Sequence, residues 1–400
     1  MAQSGVKRLG YVDGLRALAA LEVVAFHIKL QIWWPRPVPQ SVPGALVALF
    51  SYGHVAVSVF IVLSGFSLML PIARNNNHNP WGVWGFYWRR ARRILPPYYL
   101  ALGFSLLLIW LFIGQPTGTT WDTNLPVTGQ SVLAHLLLLQ DFVTTDHASI
   151  NNVFWSIAVE CQIYVLFPML VVFWRRYHPL FCALVVLTLS LILTYALIPT
   201  WIGHVSGYGF DAFAPQYIGL FAMGMFAASI VTHGGPRWSR IRAWYVWEIL
   251  AIGCWVFVVL TIATISVPLV DVGAGAGTVG LLLAASRSGR INLVRSILEW
   301  RPLVWIGGFS YSLYLIHAPL IQLLWQYGLR PLGLGDTVTY LALLLVGLPL
   351  IVLAAWGFWW LCERPFLNVR FAPPQDAKRR IGAIGQRDQM ETDIHAASRN

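Results

Sequence analysis

Two polar side chains stand eleven residues apart in an otherwise apolar stretch near the N-terminus. Arg16 and His27 occur in YVDGLRALAALEVVAFHIKL. Eleven residues make about three helical turns, so both side chains fall on one face of a helix, about 16 Å apart along its axis. An arginine can hold an anion, and a neutral imidazole can take the proton of a hydroxyl group. The spacing predicts an anion-binding residue and an acid–base residue on the same face of one helix.

A lone histidine in such a helix would more often be a hydrogen-bonded core residue. Here the same stretch also carries Asp13 and Glu22. Asp13 precedes Arg16 by three residues, which is pairing distance on a helix. Several charged groups in one apolar segment are costly and usually serve a site. The functional interpretation of His27 is therefore favoured.

Two further segments combine apolar residues with groups that could bind a ligand. FIVLSGF contains Ser64 beside Gly65, which fits either a close helix contact or a ligand site. FYWRRARRILPPYY is expected to be a cytoplasmic loop. Its arginines, Arg90 and Arg93 among them, are a topology signal and could also dock a phosphorylated ligand.

Two later segments carry polar groups inside apolar runs. Glu160 opens one of them and must be paired or hydrogen-bonded there, and Tyr164 follows on the same helical face. The other contains Ser310, Tyr311, Tyr314 and His317 within two turns. This second group is either a polar packing seam or part of a site.

Several ordinary site types have no motif in the chain. The sequence has neither a Walker P-loop nor a GxGxxG dinucleotide fingerprint. Cys161, Cys182, Cys254 and Cys362 are scattered without metal-ligand spacing and are interpreted as small buried residues. We expect neither a metal site nor a permanently bound cofactor.

The composition is that of an integral membrane protein. Hydrophobic residues make up 57% of the chain and charged residues 11%, against about 25% charged in a typical soluble domain. The mean hydropathy is +0.64. Apolar runs predict an all-α bundle of about ten transmembrane helices, at 11–34, 46–71, 94–114, 153–174, 178–198, 213–232, 245–265, 268–286, 303–326 and 338–362.

The distribution of charge orients this bundle. With the N-terminus in the cytoplasm, every Lys and Arg except Lys29, Arg36 and Arg330 falls on the cytoplasmic side. This is the positive-inside pattern, and it predicts a multi-pass protein of the inner cell membrane with both termini cytoplasmic. The net charge of +11 is thereby explained without a nucleic-acid partner.

The chain divides into a membrane domain and a tail. Residues 1–372 are expected to form the multi-span domain, and the polar residues 373–400 a disordered cytoplasmic tail. The segment 115–152 is the longest predicted outer loop, and its role is open.

The ordered set of motifs closely resembles membrane-bound acyltransferase family 3, which includes O-antigen, exopolysaccharide, Nod-factor and macrolide O-acyltransferases. The resemblance runs from about residue 9 to residue 366. The family's patterns correspond to Arg16 with His27, to FIVLSGF, to Arg90 with Arg93, to WSIAVE ending at Glu160, to SYSLYLIH at 310–317, and to ERP at 363–365. The family often has a second acidic residue after the glutamate, where this chain has Cys161.

The resemblance implies transfer of an acyl group, acetyl by default, from cytosolic acyl-CoA to a hydroxyl of a carbohydrate, glycolipid or macrolide acceptor. Its catalytic candidates are His27, as general base or transient acyl carrier, Glu160, which would orient His27 or the acceptor, and Arg16. Arg90, Arg93 and Arg16 would bind acyl-CoA, with Arg16 near its phosphate or pantetheine path. The substrate-binding candidates are Ser64, Tyr164, Ser310, Tyr311 and His317.

Two other classes remain open from the residues alone. A non-enzymatic transporter or flippase is also a multi-span bundle with buried charges, although no internal repeat is visible here. A membrane sensor or scaffold would not need His27. Dependence of acyl-CoA turnover on His27 distinguishes both from an acyltransferase.

Overall fold

A computed structural model describes residues 9–35, 50–75, 77–142, 147–197, 214–233, 245–262, 264–287 and 292–367. The tail predicted for 373–400 lies outside these residues. Every regular element in the described part of the chain is helical, so the all-α prediction is confirmed there.

The principal helices follow the order of the predicted apolar segments. They are α1 (Gly10–Trp33), α2 (Gly53–Ala73), α3 (Gly82–Ile113), α4 (Gly129–Leu137), α5 (Trp155–Arg176), α6 (Pro179–Ala196), α7 (Gln216–Thr232), α8 (Val246–Thr261), α9 (Val267–Ser286), α10 (Leu293–Leu298), α11 (Arg301–Gly307), α12 (Ser310–Leu332) and α13 (Asp336–Leu367). Short 3₁₀ turns occur at Thr120–Asn124 and Gln140–Phe142. The last turns of α3 and α6, and parts of α12 and α13, are π-helical or 3₁₀-helical.

Six helices among the described residues are long and apolar enough to cross a membrane, and a seventh span is added if the bent pair α11–α12 counts as one. The protein is therefore a membrane protein. Two apolar helices, α7 and α8, have only 17 and 16 residues. The charged helix α1 is not among the six. The count of ten spans stays a prediction.

The prediction of a loop around the arginine cluster is wrong. Residues Arg89 to Arg93 lie within α3, which passes through Pro96 and Pro97 without ending. These prolines only remove the helical donors for the carbonyls four residues earlier. The cluster therefore lies on a helix, where Arg90 and Arg93 share one face and Arg89 points in another direction.

The predicted span 303–326 is interrupted. The helices α11 and α12 meet at an angle of 76° around Gly308 and Phe309. An added Cβ at Gly307 would lie 1.9 Å from the carbonyl oxygen of Asp13, so only glycine allows α11 to approach α1 this closely. The break places the first turn of α12 beside α1.

The helix α1 runs through the centre of the bundle. It contacts α2, α11 and α12, and most of its side chains are buried. The most extensive helix pair is α2 with α7, where glycines meet backbone atoms of the opposite helix. This close contact confirms the packing interpretation of the small residues beside Ser64.

The long segment between α3 and α5 lies against the bundle. Tyr98 and Tyr99 of α3 donate hydrogen bonds to the carbonyls of His135 and Leu136 in α4. Asp141 is 2% exposed and accepts a bond from Gln162 at 3.4 Å. Burial raises the pKa of the Asp141 carboxyl to about 8, so this acid is mostly neutral at pH 7.

Candidate functional site

A cavity of about 770 Å³ lies among α1, α2, α3, α5, α12 and α13. We call it the arginine cavity, because Arg16, Arg90, Arg93 and Arg364 line it. Its other charged residues are Asp13, Glu160 and Glu363. Guanidinium groups thus outnumber carboxylates, and the cavity favours an anion. Its volume is within the range of small-molecule sites.

Arg16 is held in place by two neighbours. Its Nη1 lies 3.4 Å from Oδ1 of Asp13, which confirms the predicted pairing one turn apart. Its Nη2 donates to Oγ of Ser67 at 2.8 Å. The side chain is 22% exposed, so the guanidinium faces the cavity from a fixed position.

Only two arginines of the cluster in α3 line the cavity. Arg90 and Arg93 are three residues apart and share a face, whereas Arg89 lies over the ring of Trp81 at 4.5 Å. The Nε atom of Arg90 is buried and has no hydrogen-bond partner. A buried donor without a partner requires an explanation, and a bound anion would supply one.

Glu160 joins two predicted substrate residues in a hydrogen-bond chain. Tyr164 donates a short hydrogen bond to Oε1 of Glu160, and Ser64 and Tyr164 are linked at 2.6 Å. Because the phenol proton points to the carboxylate, Ser64 is the donor in the second bond. Ser64, on α2, is thereby connected to Glu160, on α5.

The first turn of α12 supplies hydroxyl groups that are already donating. Ser310 donates to the carbonyl of Gly307 at 3.1 Å, and Tyr311 donates to the carbonyl of Ile94 at 3.2 Å. Tyr314 donates to the carbonyl of Val153 at 3.1 Å. These side chains line the cavity, but in this arrangement their hydroxyls offer a ligand lone pairs rather than protons.

The two predicted histidines meet each other beside the arginine cavity and do not line it. The ring centroids of His27 and His317 are 4.9 Å apart. Tyr314 lines the cavity, and its ring centroid is 5.8 Å from that of His317. No hydrogen bond joins Glu160 to His27 among the described residues. The structure thus separates His27 from Arg16 and Glu160.

The tautomer of each ring follows from its partner. Nδ1 of His27 lies 2.8 Å from the carbonyl oxygen of Val23, and Nδ1 of His317 lies 2.7 Å from that of Tyr314. A carbonyl only accepts, so in the neutral rings both Nδ1 atoms carry the proton and both Nε2 atoms are basic. Nε2 of His317 is buried without a hydrogen-bond partner.

Sequence reasoning missed two contributors to the cavity. Glu363 entered the sequence analysis only as part of the ERP motif, yet it is 3% exposed and accepts a hydrogen bond of 2.5 Å from Ser312. Ser67, the partner of Arg16, was not singled out. The ERP motif was the available signal for Glu363, and the position of Ser67 one turn after Ser64 was the signal for Ser67.

No group of three or more His, Cys, Asp or Glu side chains could hold a metal ion in the described part of the chain. The cavity contains neither a cysteine nor a histidine. Its chemistry is that of guanidinium, carboxylate and hydroxyl groups.

Comparison with known proteins gives a consistent assignment. The acyltransferase family 3 model, an acyltransferase domain, matches residues 9–360. The acyltransferase MdmB of Streptomyces mycarofaciens is 34% identical over 169 residues, which are 41% of this chain and 39% of that protein. YrhL of Bacillus subtilis is 24% identical over 78% of this chain and 48% of its own.

The peptidoglycan O-acetyltransferase OatA of Listeria monocytogenes is 22% identical over 78% of this chain and 49% of its own. The chain thus spans about half the length, or less, of these curated relatives. No solved structure matches the chain. Because the family model covers residues 9–360, which are most of the sequence and include all the helices that line the arginine cavity except the last turns of α13, the chain belongs to acyltransferase family 3.

Proposed function

We propose that the protein is an O-acetyltransferase of the inner cell membrane, with ten spans and both termini in the cytoplasm. It takes an acetyl group from cytosolic acetyl-CoA. It transfers this group to a hydroxyl of a carbohydrate, glycolipid or macrolide acceptor. Family membership supports acyl transfer, and the name of OatA supports acetyl as the group and a glycan as the acceptor.

The arginine cavity carries this proposal. Acetyl-CoA has phosphates at one end and a thioester at the other. Arg90 and Arg93 would bind the phosphates in bidentate fashion, and the buried Nε of Arg90 would gain its missing acceptor. Arg16 lines the same cavity and would meet the pyrophosphate or the pantetheine arm.

His27 would act as the general base. Its Nε2 takes the proton of the acceptor hydroxyl while the hydroxyl oxygen bonds to the thioester carbonyl carbon. The carbon–sulfur bond then breaks, and the same proton returns to the leaving thiolate to give CoA. Because His27 contacts His317, and His317 contacts the cavity residue Tyr314, the acyl end would reach His27 beside these two side chains.

Glu160 would act through Tyr164 and Ser64 rather than through His27. The chain from Ser64 to Glu160 directs lone pairs of Ser64 into the cavity, where they would accept a hydrogen bond from the amides of the pantetheine arm. This assigns Glu160 to positioning of the donor substrate. A transporter would not need a site that positions a thioester.

Release of CoA from acetyl-CoA by the purified protein in detergent tests the proposal. We expect His27→Ala to abolish release while the protein remains folded and monodisperse. Arg90→Ala with Arg93→Ala should raise the KM for acetyl-CoA at least about tenfold, as expected for loss of charge-assisted hydrogen bonds.

The matched control is Arg89→Ala with Arg92→Ala, which removes the same charge from the same helix but no wall of the cavity. An equal rise in KM for both pairs would show only a general electrostatic effect. Near-normal turnover of His27→Ala would refute the role of the base. A folded wild type without CoA release, even with envelope glycan extracts as acceptor, would favour the transporter.

A further inference from the structure

A second cavity, of about 240 Å³, lies at the opposite end of the helices that carry the arginine cavity. Gln31 of α1 and Trp325 of α12 line it. On the same two helices, Arg16 and Ser310 line the arginine cavity. At 1.5 Å per residue, Gln31 lies about 22 Å from Arg16 along α1. One helix pair thus connects two separate cavities.

The histidine pair stands between the two cavities, near the lining of each. His27 lies about 16 Å beyond Arg16 along α1 but only about 6 Å before Gln31. On α12, His317 follows Tyr314 of the arginine cavity by about 4.5 Å and precedes Trp325 of the second cavity by about 12 Å. The basic Nε2 atoms are therefore acid–base groups between the two cavities, with His27 the nearer one to the second. Nε2 of His317 has no partner there.

The side-chain amides of Gln31 and Gln322 lie between the histidines and the second cavity, and we call them the amide layer. Nε2 of Gln31 donates to Oε1 of Gln322 at 2.7 Å, and Nε2 of Gln322 donates to Oγ1 of Thr117 at 3.1 Å. Thr119 donates to the same Oε1 at 3.3 Å. These bonds attach the start of the long segment 115–152 to α12. They also place Thr117 and Thr119 in the wall of the second cavity.

The remaining wall suits a hydroxylated ring. Trp325 lines the cavity, and the Arg330 guanidinium lies over one face of its ring, 5.4 Å from the centroid, so a sugar ring would stack on the opposite face. Asp336 and Thr339 supply a carboxylate and a hydroxyl from the neighbouring helix α13. An aromatic surface takes the C–H face of a sugar ring, and polar side chains take its hydroxyls. The volume is below that of sites for larger molecules, so it fits one ring rather than an extended chain.

We propose that the second cavity binds the terminal sugar ring of the acceptor and directs one of its hydroxyls through the amide layer towards His27. This inference rests on the proposed acetyl transfer. The donor enters through the arginine cavity and the acceptor from the opposite end. The hydroxyl oxygen bonds to the thioester carbon, its proton passes to His27 and then to the thiolate, and CoA leaves through the arginine cavity.

The test uses the purified full chain in lipid nanodiscs, where both ends are accessible, with labelled acetyl-CoA. Three probes are compared: the disaccharide of N-acetylglucosamine and N-acetylmuramic acid, an alkyl glucoside inserted in the bilayer, and glycerol, which has hydroxyls but no ring. The disaccharide represents a glycan source and the alkyl glucoside a glycolipid source. Acetylation of each probe and release of CoA are measured separately.

We expect acetylation of at least one ring-bearing probe and not of glycerol. Trp325→Leu and Asp336→Asn should each lower kcat/KM for that probe about tenfold or more, because each removes one contact to the ring. The KM for acetyl-CoA should stay unchanged. Trp110→Leu is the control, since Trp110 is 80% exposed at the same end of the bundle and outside the cavity.

Unchanged kcat/KM in both variants would overturn the assignment, as would glycerol acetylation equal to that of the rings. Release of CoA by the wild type without acetylation of either ring-bearing probe would overturn the acceptor class. Absence of CoA release from the folded wild type would refute the proposed transfer itself. A parallel rise in the KM for acetyl-CoA would show that the variants disturb the donor site instead.

Discussion

Most of the serine and tyrosine hydroxyls that line the arginine cavity already donate to a protein acceptor, whereas Ser67 accepts from Arg16. Tyr164 donates to Glu160, and Ser64 donates to Tyr164. A phenol bound to a carboxylate gives a charge-assisted bond, which is stronger than a bond between neutral groups. The family resemblance made Ser64, Tyr164 and Tyr311 candidates for substrate binding. The directions of these bonds favour a role in which Ser64 accepts and Glu160 orients.

Replacement of Tyr164 by phenylalanine tests this direction. Tyr164→Phe leaves the ring but disconnects Ser64 from Glu160. We expect the KM for acetyl-CoA to rise several-fold and kcat to fall by about tenfold, in line with the loss of a hydrogen bond to a charged group of about 1.5–3 kcal/mol.

Tyr87→Phe is the matched control, because its hydroxyl donates to the carbonyl of Val165 outside the cavity. CoA release and the thermal midpoint are measured for both variants. Equal kinetic effects in the two would contradict the proposed chain, and a change confined to the thermal midpoint would reduce it to a structural bond.

A close backbone contact between α2 and α7 supports the wall of the arginine cavity that α2 forms. An added Cβ at Gly65 would lie 2.1 Å from the carbonyl oxygen of Phe221, and one at Gly224 would lie 2.0 Å from that of Val62. The two glycines thus form a reciprocal contact between α2 and α7. Since Ser64 precedes Gly65, this contact also sets how far Ser64 extends towards Tyr164. Small residues at such crossings are typical of membrane helix pairs.

Gly65→Ala should therefore destabilise the protein by about 1–3 kcal/mol, the usual cost of inserting a methyl group into a filled contact. The thermal midpoint in detergent measures the effect. Gly103→Ala is the control, because nothing lies within 4 Å of an added Cβ at that helical position. A midpoint for Gly65→Ala equal to that of Gly103→Ala would show that α2 and α7 are not packed this closely.

The cavities at the two ends of the bundle differ in their charged residues. Leu9, Arg90 and Arg364 lie around the arginine cavity, whereas the second cavity carries Arg330 and Asp336. The positive-inside rule predicts that the first end faces the cytoplasm. Cytosolic acetyl-CoA could reach the arginine cavity only in this orientation, so the sidedness of the bundle is a condition of the proposed function.

Single cysteines in a background without the four native ones measure this sidedness. Trp84 is 86% exposed near the start of α3, and Leu332 is 62% exposed at the opposite end. In intact cells, a membrane-impermeant maleimide should label Leu332→Cys and leave Trp84→Cys unlabelled until the membrane is permeabilised. The reverse pattern would invert the orientation, and labelling of both in intact cells would contradict opposite ends.

Apolar periodicity and motif order were enough to predict an all-helical membrane protein of acyltransferase family 3. Each apolar segment is long enough to require a helix in a membrane, whatever its neighbours are. The sequence also singled out Arg16, Glu160 and Tyr164, because charged or polar groups in apolar segments are rare enough to be informative. It singled out Arg90 and Arg93 for another reason, as members of an arginine cluster expected in a loop.

The relation between these groups depends on contacts between residues far apart in the chain. Arg16 and His27 share a helix face, yet only Arg16 lines the arginine cavity. Glu363 is buried, and Ser312 of another helix donates a hydrogen bond to its carboxylate. The second cavity exists because Gln31, Gln322 and the threonines of a distant segment meet. Helix crossing and side-chain packing decide such meetings, and local periodicity carries no information about them.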